Sequence, residues 1–280
     1  MKQTKSYPIA LSIAGSDSSG GAGIQADLKT FSALGVYGAT AITAITAQNS
    51  LGVHAQLALD PRMVYDQICA VVDDLHPQVV KIGMLANVAI VHVVAEALAK
   101  YHLPLILDPV ILSTSGHRLL SEDAQESLKH KLLPLSTLVT PNIPEMRALT
   151  SMPLATFEDK ERAAQHLMEY GARAVLLKGG HEEGETKSDI LFSASQNGIY
   201  STIFSSPTVQ TRNTHGTGCT LSAAIAAFMA RGVALRDAIA EAKRYVTEAL
   251  RSGADITAGH GFGPVNHGFN PIKMIINEGK

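Results

Sequence analysis

Short runs dominated by apolar residues, at positions 9–14, 39–45, 79–82, 105–107, 137–139 and 174–177, alternate with segments of helical spacing at 22–34, 63–75, 88–101 and 158–170. A strand that stays apolar on consecutive positions has no wet face, so helices must cover both sides of its sheet. The alternation therefore predicts an α/β fold with a mostly parallel central sheet and helices on both faces. The pattern then changes. Residues 189–192 and 198–204, separated by 193–197, predict a small antiparallel hairpin at one sheet edge. Two helices are expected after it, at 218–231 and 235–252. The first carries Leu221, Ile225 and Phe228 on one stripe, and Arg236, Glu241, Lys243 and Arg244 mark the wet face of the second. The glycine-rich stretch 253–268 reads as a loop. A length of 280 residues allows two domains, but no repeat or linker divides the chain, and a single domain over 1–280 is expected.

Composition removes several function classes. Lys plus Arg number 23 against 25 for Asp plus Glu, a net charge of −2, so a nucleic-acid backbone or an anionic membrane is not an expected partner. No apolar run approaches the ~20 residues that span a bilayer. The two cysteines, Cys69 and Cys219, make no disulfide framework, and a reducing cytoplasm is the expected location. Lys2 and Lys5 before the apolar run 9–14 resemble a secretory signal. That run is short and leads straight into a Gly/Ser turn, so it is expected to be a first strand. The eleven histidines are scattered; His260 and His267 flank a loop without forming a metal cluster.

Two glycine-rich loops carry the chemistry. The first, GSDSSGGAG at 15–23, follows a strand and opens a helix. Gly21, Gly23 and Ala26 fit the dinucleotide pattern G-x-G-x-x-A, but residues 40–50 contain no acid to hold a ribose, which disfavours an NAD site. The loop reads as a turn where backbone approaches a small ligand, or simply as a tight strand–helix connection. The second, NTHGTGCT at 213–220, runs into an apolar helix. Gly216 and Gly218 let successive amides converge, and the helix dipole adds positive potential, which suits phosphate or a phosphoryl transition state. The competing reading has Thr217 merely capping that helix. Cys219 in the first turn is expected to have a thiol pKa lowered toward neutrality, fit for a general base. Cys69, beside Ile68 and Val72, is expected to be core. No Walker A sequence occurs.

In combination, AGSDSSGGAGIQAD at 14–27, TAQN at 46–49, KIGML at 81–85, DPV at 108–110, TPNIPE at 140–145, KGGH at 178–181 and NTHGTGCT at 213–220 resemble the hydroxymethylpyrimidine/phosphomethylpyrimidine kinase family of thiamin biosynthesis, a branch of the ribokinase-like superfamily. The resemblance runs from about residue 8 to about residue 267. It implies a ribokinase-like domain that uses ATP and Mg²⁺ to phosphorylate 4-amino-5-hydroxymethyl-2-methylpyrimidine and then its monophosphate. It implies that Gln48 hydrogen-bonds the pyrimidine, whose aminopyrimidine edge an amide matches in donor and acceptor. Asp17, Gly20, Ala22 and Met84 would line the same pocket and Val110 would close it. Asp108 and Glu145 would serve Mg²⁺, with Asn142, Glu145 and Lys178 on the nucleotide. Gly216, Thr217, Gly218 and Cys219 would form the anion hole and base, the loop at 261–264 would lie beside adenine, and the protein would be a homodimer.

Plainer readings stand beside these. Asp108 could end a strand, Glu145 could be a first-turn helix acid, and Met84 could be core. Where many ribokinase-like sugar kinases carry Gly-Ala-Gly-Asp, this chain has GTGC at 216–219, which points to the vitamin-kinase branch. Some related pyridoxal kinases carry a cysteine shortly after the Asp-Pro-Val segment; residues 111–116 have none. Pyridoxal kinase is therefore the second reading, and a non-catalytic pyrimidine or nucleotide sensor the third.

Overall fold

A computed structural model describes residues 5–113, 116–180, 184–195 and 198–278. Thr114, Ser115, His181, Gln196 and Asn197 lie outside the described residues. The sheet is built from β2 (Ile9–Asp17), β3 (Tyr37–Asn49), β4 (Gly52–Ala58), β5 (Val79–Ile82), β6 (Leu105–Leu107), β7 (Leu138–Val139), β8 (Ala174–Leu177), β9 (Thr186–Ser195) and β10 (Gly198–Pro207). Their order is β10-β9-β8-β7-β6-β5-β2-β3-β4. The six strands from β8 to β3 run parallel; β4 at one edge and the β9–β10 hairpin at the other are antiparallel. A separate two-stranded ribbon joins β1 (Lys5–Ser6) to β11 (Asn277–Glu278).

Side-chain alternation splits the core in two. Leu11, Ile13, Val80, Ile82, Leu105 and Leu107 face α2 (Pro61–Leu75), α3 (Val88–Leu98), α4 (Glu122–Lys131), α5 (Ile143–Thr150) and α6 (Phe157–Glu169). Ala10, Val79, Ile106, Leu138 and Leu176 face α1 (Gly23–Ala33), α7 (Thr217–Ala230) and α8 (Leu235–Ser252). The alanine-rich buried face of α7 lets that helix lie close on the sheet. Asp60, Asn87, Asn142 and Thr156 cap α2, α3, α5 and α6 with their side chains. By contrast, α1 and α7 start at Ala22 and Gly216 without a side-chain cap. Among the described residues no helix is long and apolar enough to cross a membrane.

The expected parallel sheet and edge hairpin are present, the hairpin strands being longer than their apolar segments. Residues 9–14 lie in a central strand. Strand β4 has no counterpart in the sequence reading: its residues are half-buried or exposed, so it lacks the apolar run by which the other strands announce themselves. Cys69 is partly buried against the first core.

Candidate active site

Strand order reverses at β2, whose parallel neighbours β3 and β5 lead away in opposite directions. Open α/β sheets bind ligands at such a point, beyond the carboxyl ends of the strands. The residues at or just past those ends here are Asp17, Gln48, Met84, Asp108, Asn142 and Lys178, and all six line one cavity of about 1090 Å³. Two β-bulges shape its floor, one between Ala14 and Ser16 and one between Ala47 and Gln48. At the first, Gly15 leaves room for Met84: a Cβ there would meet Met84 Sδ at 2.8 Å. Met84 packs with Ala44, Leu119 and Val110, so it is both buried and part of the cavity wall.

The two glycine loops are stitched together. Asp17 accepts hydrogen bonds from the amides of Ser19 (2.9 Å), Gly21 (3.1 Å) and Ala22 (2.8 Å), and its Oδ2 lies 2.8 Å from His215 Nε2. Burial disfavours this carboxylate, but the bonds from His215, Ser19 and Ala22 outweigh it and hold the pKa down to about 2. Asp17 thus borders the cavity as expected while its carboxylate is occupied by the loop. Ala22 also lines the cavity. Gly20 does not, which corrects its assignment to the pocket: its φ of +78° turns the loop, and its carbonyl accepts from Lys29 Nζ at 2.7 Å. Gly216 has φ +81°, and a Cβ there would lie 1.8 Å from the Gly21 carbonyl oxygen. Only glycine allows the loops to meet.

Helix α7 begins at Thr217 with Gly216 as its N-cap. Thr217 donates its hydroxyl to the Thr214 carbonyl at 2.7 Å and does not cap. First-turn amides of a helix have no intrahelical acceptor, and those of Gly218 and Cys219 begin the turn at the cavity wall. A Cβ on Gly218 would lie 3.4 Å from Lys178 Nζ and 3.9 Å from Asp108 Oδ2, so the turn abuts a charged cluster. Asp108 accepts from Lys178 Nζ (2.7 Å), Thr140 Oγ1 (3.2 Å) and Ser222 Oγ (3.1 Å). Lys178 Nζ also lies 3.7 Å from Glu145 Oε2. Burial opposes ionisation of Asp108, yet Lys178 and Lys81 hold its pKa below the ordinary value; burial pushes Glu145 up to about 7 against the pull of Lys178. Glu145 and Asn142 also form a capping box on α5, each accepting at 2.8 Å from the other's backbone amide. Glu145 is therefore a first-turn acid and a cavity residue at once, and Asp108 is far more than a strand end.

The Cys219 thiol is not acidic. It is half-buried at the cavity wall, and burial drives its pKa up to about 11. Lys81 and the Gly23 amide pull the other way without prevailing, and Asp27 and Asp108 add to the rise. Lys81 is itself matched by Asp27, 2.8 Å away and fully buried, whose charge offsets part of the lysine's pull on the thiolate. Helix-terminal potential alone, the basis of the sequence expectation, omits this desolvation.

The sequence reading missed three further features. His215, within 3.4 Å of Gln48 Nε2 as well as bonded to Asp17, sits in a motif but has no individual signal. Lys243, expected on the wet face of α8, is largely buried, donates to Asp189 Oδ2 at 2.7 Å and lines the cavity; the other oxygen of Asp189 accepts from the Gly179 amide. The 261–264 loop packs on Ser50 and Asn213 and lines no part of the cavity. The wall beyond Lys178 comes instead from Ser206, Pro207, Thr208, Val209, Val246 and Leu250.

Residues 17–266 match the family model described as phosphomethylpyrimidine kinase. The hydroxymethylpyrimidine/phosphomethylpyrimidine kinase of Rhizobium meliloti is 48% identical over 262 residues, covering 92% of this chain and 96% of that protein. The phosphomethylpyrimidine kinase structure from Clostridium difficile is 43% identical with a TM-score of 0.74, covering 86% of this chain and 99% of that one. The pyridoxal kinase of Staphylococcus aureus in complex with AMP-PCP superposes with a TM-score of 0.84 at 31% identity, covering 98% of this chain and 99% of that one. The fold is ribokinase-like, and this chain is a kinase belonging to the hydroxymethylpyrimidine/phosphomethylpyrimidine kinase family.

Proposed function

We propose that this chain transfers the γ-phosphoryl group of ATP to the hydroxymethyl oxygen of 4-amino-5-hydroxymethyl-2-methylpyrimidine, and a second phosphoryl group to the resulting monophosphate, within thiamin biosynthesis in the cytoplasm. The observation that carries this reading is the contact between the α7 first turn and the Lys178–Asp108 pair in the cavity that Gln48 also lines. Gln48 is held by a two-way bond with Ser18 and presents its amide to the aminopyrimidine edge, with Met84 and Val110 against the ring. On this reading the hydroxymethyl group lies against Cys219. The amides of Gly218 and Cys219 and the Lys178 ammonium face the transferring phosphoryl group and stabilise its charge. The thiolate form of Cys219 receives the hydroxyl proton as the new O–P bond forms and the bond from the γ-phosphorus to ADP breaks, and ADP leaves toward Lys243 and Val246. AMP-PCP is an ATP analogue, and its presence in the Staphylococcus aureus relative supports the nucleotide.

The donor set at Asp108, Glu145 and Asn142 suits Mg²⁺. Two carboxylates and an amide oxygen match a hard cation that keeps several waters, and their existing bonds to Lys178 and Thr140 favour contact through those waters. When bound, Mg²⁺ would neutralise phosphate charge. Glu145→Gln should raise the KM for Mg-ATP about tenfold, the loss of one charge-assisted contact. Its melting temperature should stay within about 2 °C, because glutamine preserves the capping box. Unchanged Mg-ATP kinetics would place the cation elsewhere.

Pyridoxal phosphorylation is the second reading, favoured by the superposition on pyridoxal kinase. ADP release on addition of each alcohol to enzyme and Mg-ATP separates the two: kcat/KM is expected to be higher for the hydroxymethylpyrimidine, and the reverse order overturns the assignment. The homodimer belongs to the same proposal. The edge around β4 exposes Ile45, Leu51 and Leu57, and sedimentation reads the assembly.

A further inference from the structure

Behind the α7 first turn, on the side away from the cavity, lies a buried polar chain that the catalytic reading does not use. His267 comes from the C-terminal tail and is 5% exposed. Its Nε2 is 2.9 Å from Thr220 Oγ1, and Thr220 Oγ1 is 2.8 Å from the Gly216 carbonyl oxygen. The tail is fixed in turn: Tyr245 donates its hydroxyl to the His267 carbonyl at 2.6 Å, and the Asn266 amide donates to the Ala249 carbonyl at 3.1 Å. His267 therefore cannot drift from α7 without leaving α8.

We propose that His267 is a positioning residue for phosphoryl transfer: its Nε2–H donates to Thr220 Oγ1, which turns the Thr220 hydroxyl proton onto the Gly216 carbonyl and locks the Gly216–Thr217 peptide, whose amide donates to the Thr214 carbonyl at 3.2 Å, so that the next amides, of Gly218 and Cys219, keep their aim at the cavity. The inference rests on the anion-hole reading of residues 216–219. A threonine hydroxyl has one proton and two acceptor lone pairs. Donation to the carbonyl four residues back is the ordinary choice for a helical threonine, and the Thr220 amide bonds the same carbonyl at 2.8 Å. With that proton committed, the histidine must be the donor in the second contact. The ring stays neutral: burial, with Lys29 nearby, lowers its pKa to about 4. The lock matters at Gly216 because its φ of +81° belongs to glycine, the residue whose peptide flips most freely. A flipped 216–217 peptide would lose the bond from the Thr217 amide to the Thr214 carbonyl and unseat the first turn that carries the Gly218 and Cys219 amides.

The test exploits side-chain shape. The amide nitrogen of glutamine reaches about as far as imidazole Nε2, whereas that of asparagine reaches only as far as Nδ1. His267→Gln should retain kcat within about threefold of wild type, while His267→Asn and His267→Leu should lose about tenfold, well short of the ~10²–10³ that follows outright removal of an oxyanion donor. The KM for the pyrimidine should move less than twofold in all three. Thr220→Val should lose the same factor as His267→Leu, and the double variant no more than either. Independently of turnover, nitrogen-15 spectra of the wild-type histidine should place the ring proton on Nε2. A proton on Nδ1, or a glutamine variant no better than the leucine variant, overturns the proposal. Wild-type enzyme without pyrimidine-dependent ADP release would overturn the functional reading instead, and the tautomer spectrum would still report on His267.

Discussion

Cys219→Ser should cut single-turnover phosphoryl transfer about a hundredfold at pH 7.5, with pyrimidine and ATP binding and the folded state retained. Base catalysis by a positioned side chain is commonly worth ~10²–10⁴-fold, and a serine hydroxyl is a far weaker base than a thiolate. The raised thiol pKa, about 11, adds a second signature. A base works in its deprotonated form, and below pH 11 that fraction grows as pH rises. The wild-type rate should therefore climb about tenfold per pH unit from 7 to 9, and the serine variant should lose this slope. Iodoacetamide, which also needs the thiolate, should modify Cys219 slowly at pH 7 and follow the same slope, with protection by the pyrimidine. In a Cys69→Ala background the modification reports on Cys219 alone. A loose transition state needs little base help. A flat profile with a loss under about threefold would reduce Cys219 to part of the loop wall and leave the Gly216–Gly218 amides as the catalytic core.

Asp108→Asn should destabilise the protein by about 3–5 kcal/mol, the usual cost of removing one partner from a buried ion pair. Asparagine keeps the shape, but among the described residues Lys178 is left with the Glu145 carboxylate at 3.7 Å. The bonds from Thr140 and Ser222, which tie β7 and α7 to β6, lose their charged acceptor. The sign with pH follows from the lowered pKa of Asp108. Its stabilisation is complete above the unfolded carboxylate value of ~3.9 and disappears as pH falls through the lower folded value. The part of the difference between wild type and variant that comes from Asp108 ionisation should thus shrink in acid. Urea midpoints at constant m measure it. Adding Lys178→Met should recover most of the stability and none of the turnover, because the phosphate partner is then gone as well. A difference below about 1 kcal/mol together with normal kinetics would mean that the pair neither holds the strand ends nor serves the nucleotide.

The parallel sheet was legible because burial on both faces leaves an unbroken apolar signature, as in 79–82 and 105–107. The two loops were legible because close backbone approach demands glycine, and Gly216 against the Gly21 carbonyl shows that demand. Features that arise only when distant segments meet were not legible. Asp17 looks like a ligand-binding acid until His215 arrives from 198 residues away. Lys243 looks like a solvated helix residue until Asp189 folds against it. Strand β4 pairs at an exposed edge and needs no apolar run. The thiol of Cys219 sits at a helix N-terminus, which sequence shows, in a buried setting, which sequence does not. The tail loop carries glycines for packing on Ser50 and Asn213, and glycine content alone could not tell that packing from contact with a base.

One cavity is expected to perform two successive phosphoryl transfers on a pyrimidine. Enzyme mixed with Mg-ATP and 4-amino-5-hydroxymethyl-2-methylpyrimidine, quenched over time and resolved by product mass, tests it directly. A monophosphate should rise first and then be consumed as the diphosphate appears, with two ADP released per pyrimidine at completion. A monophosphate that accumulates unchanged, or no pyrimidine product beside ready phosphorylation of pyridoxal, would contradict it.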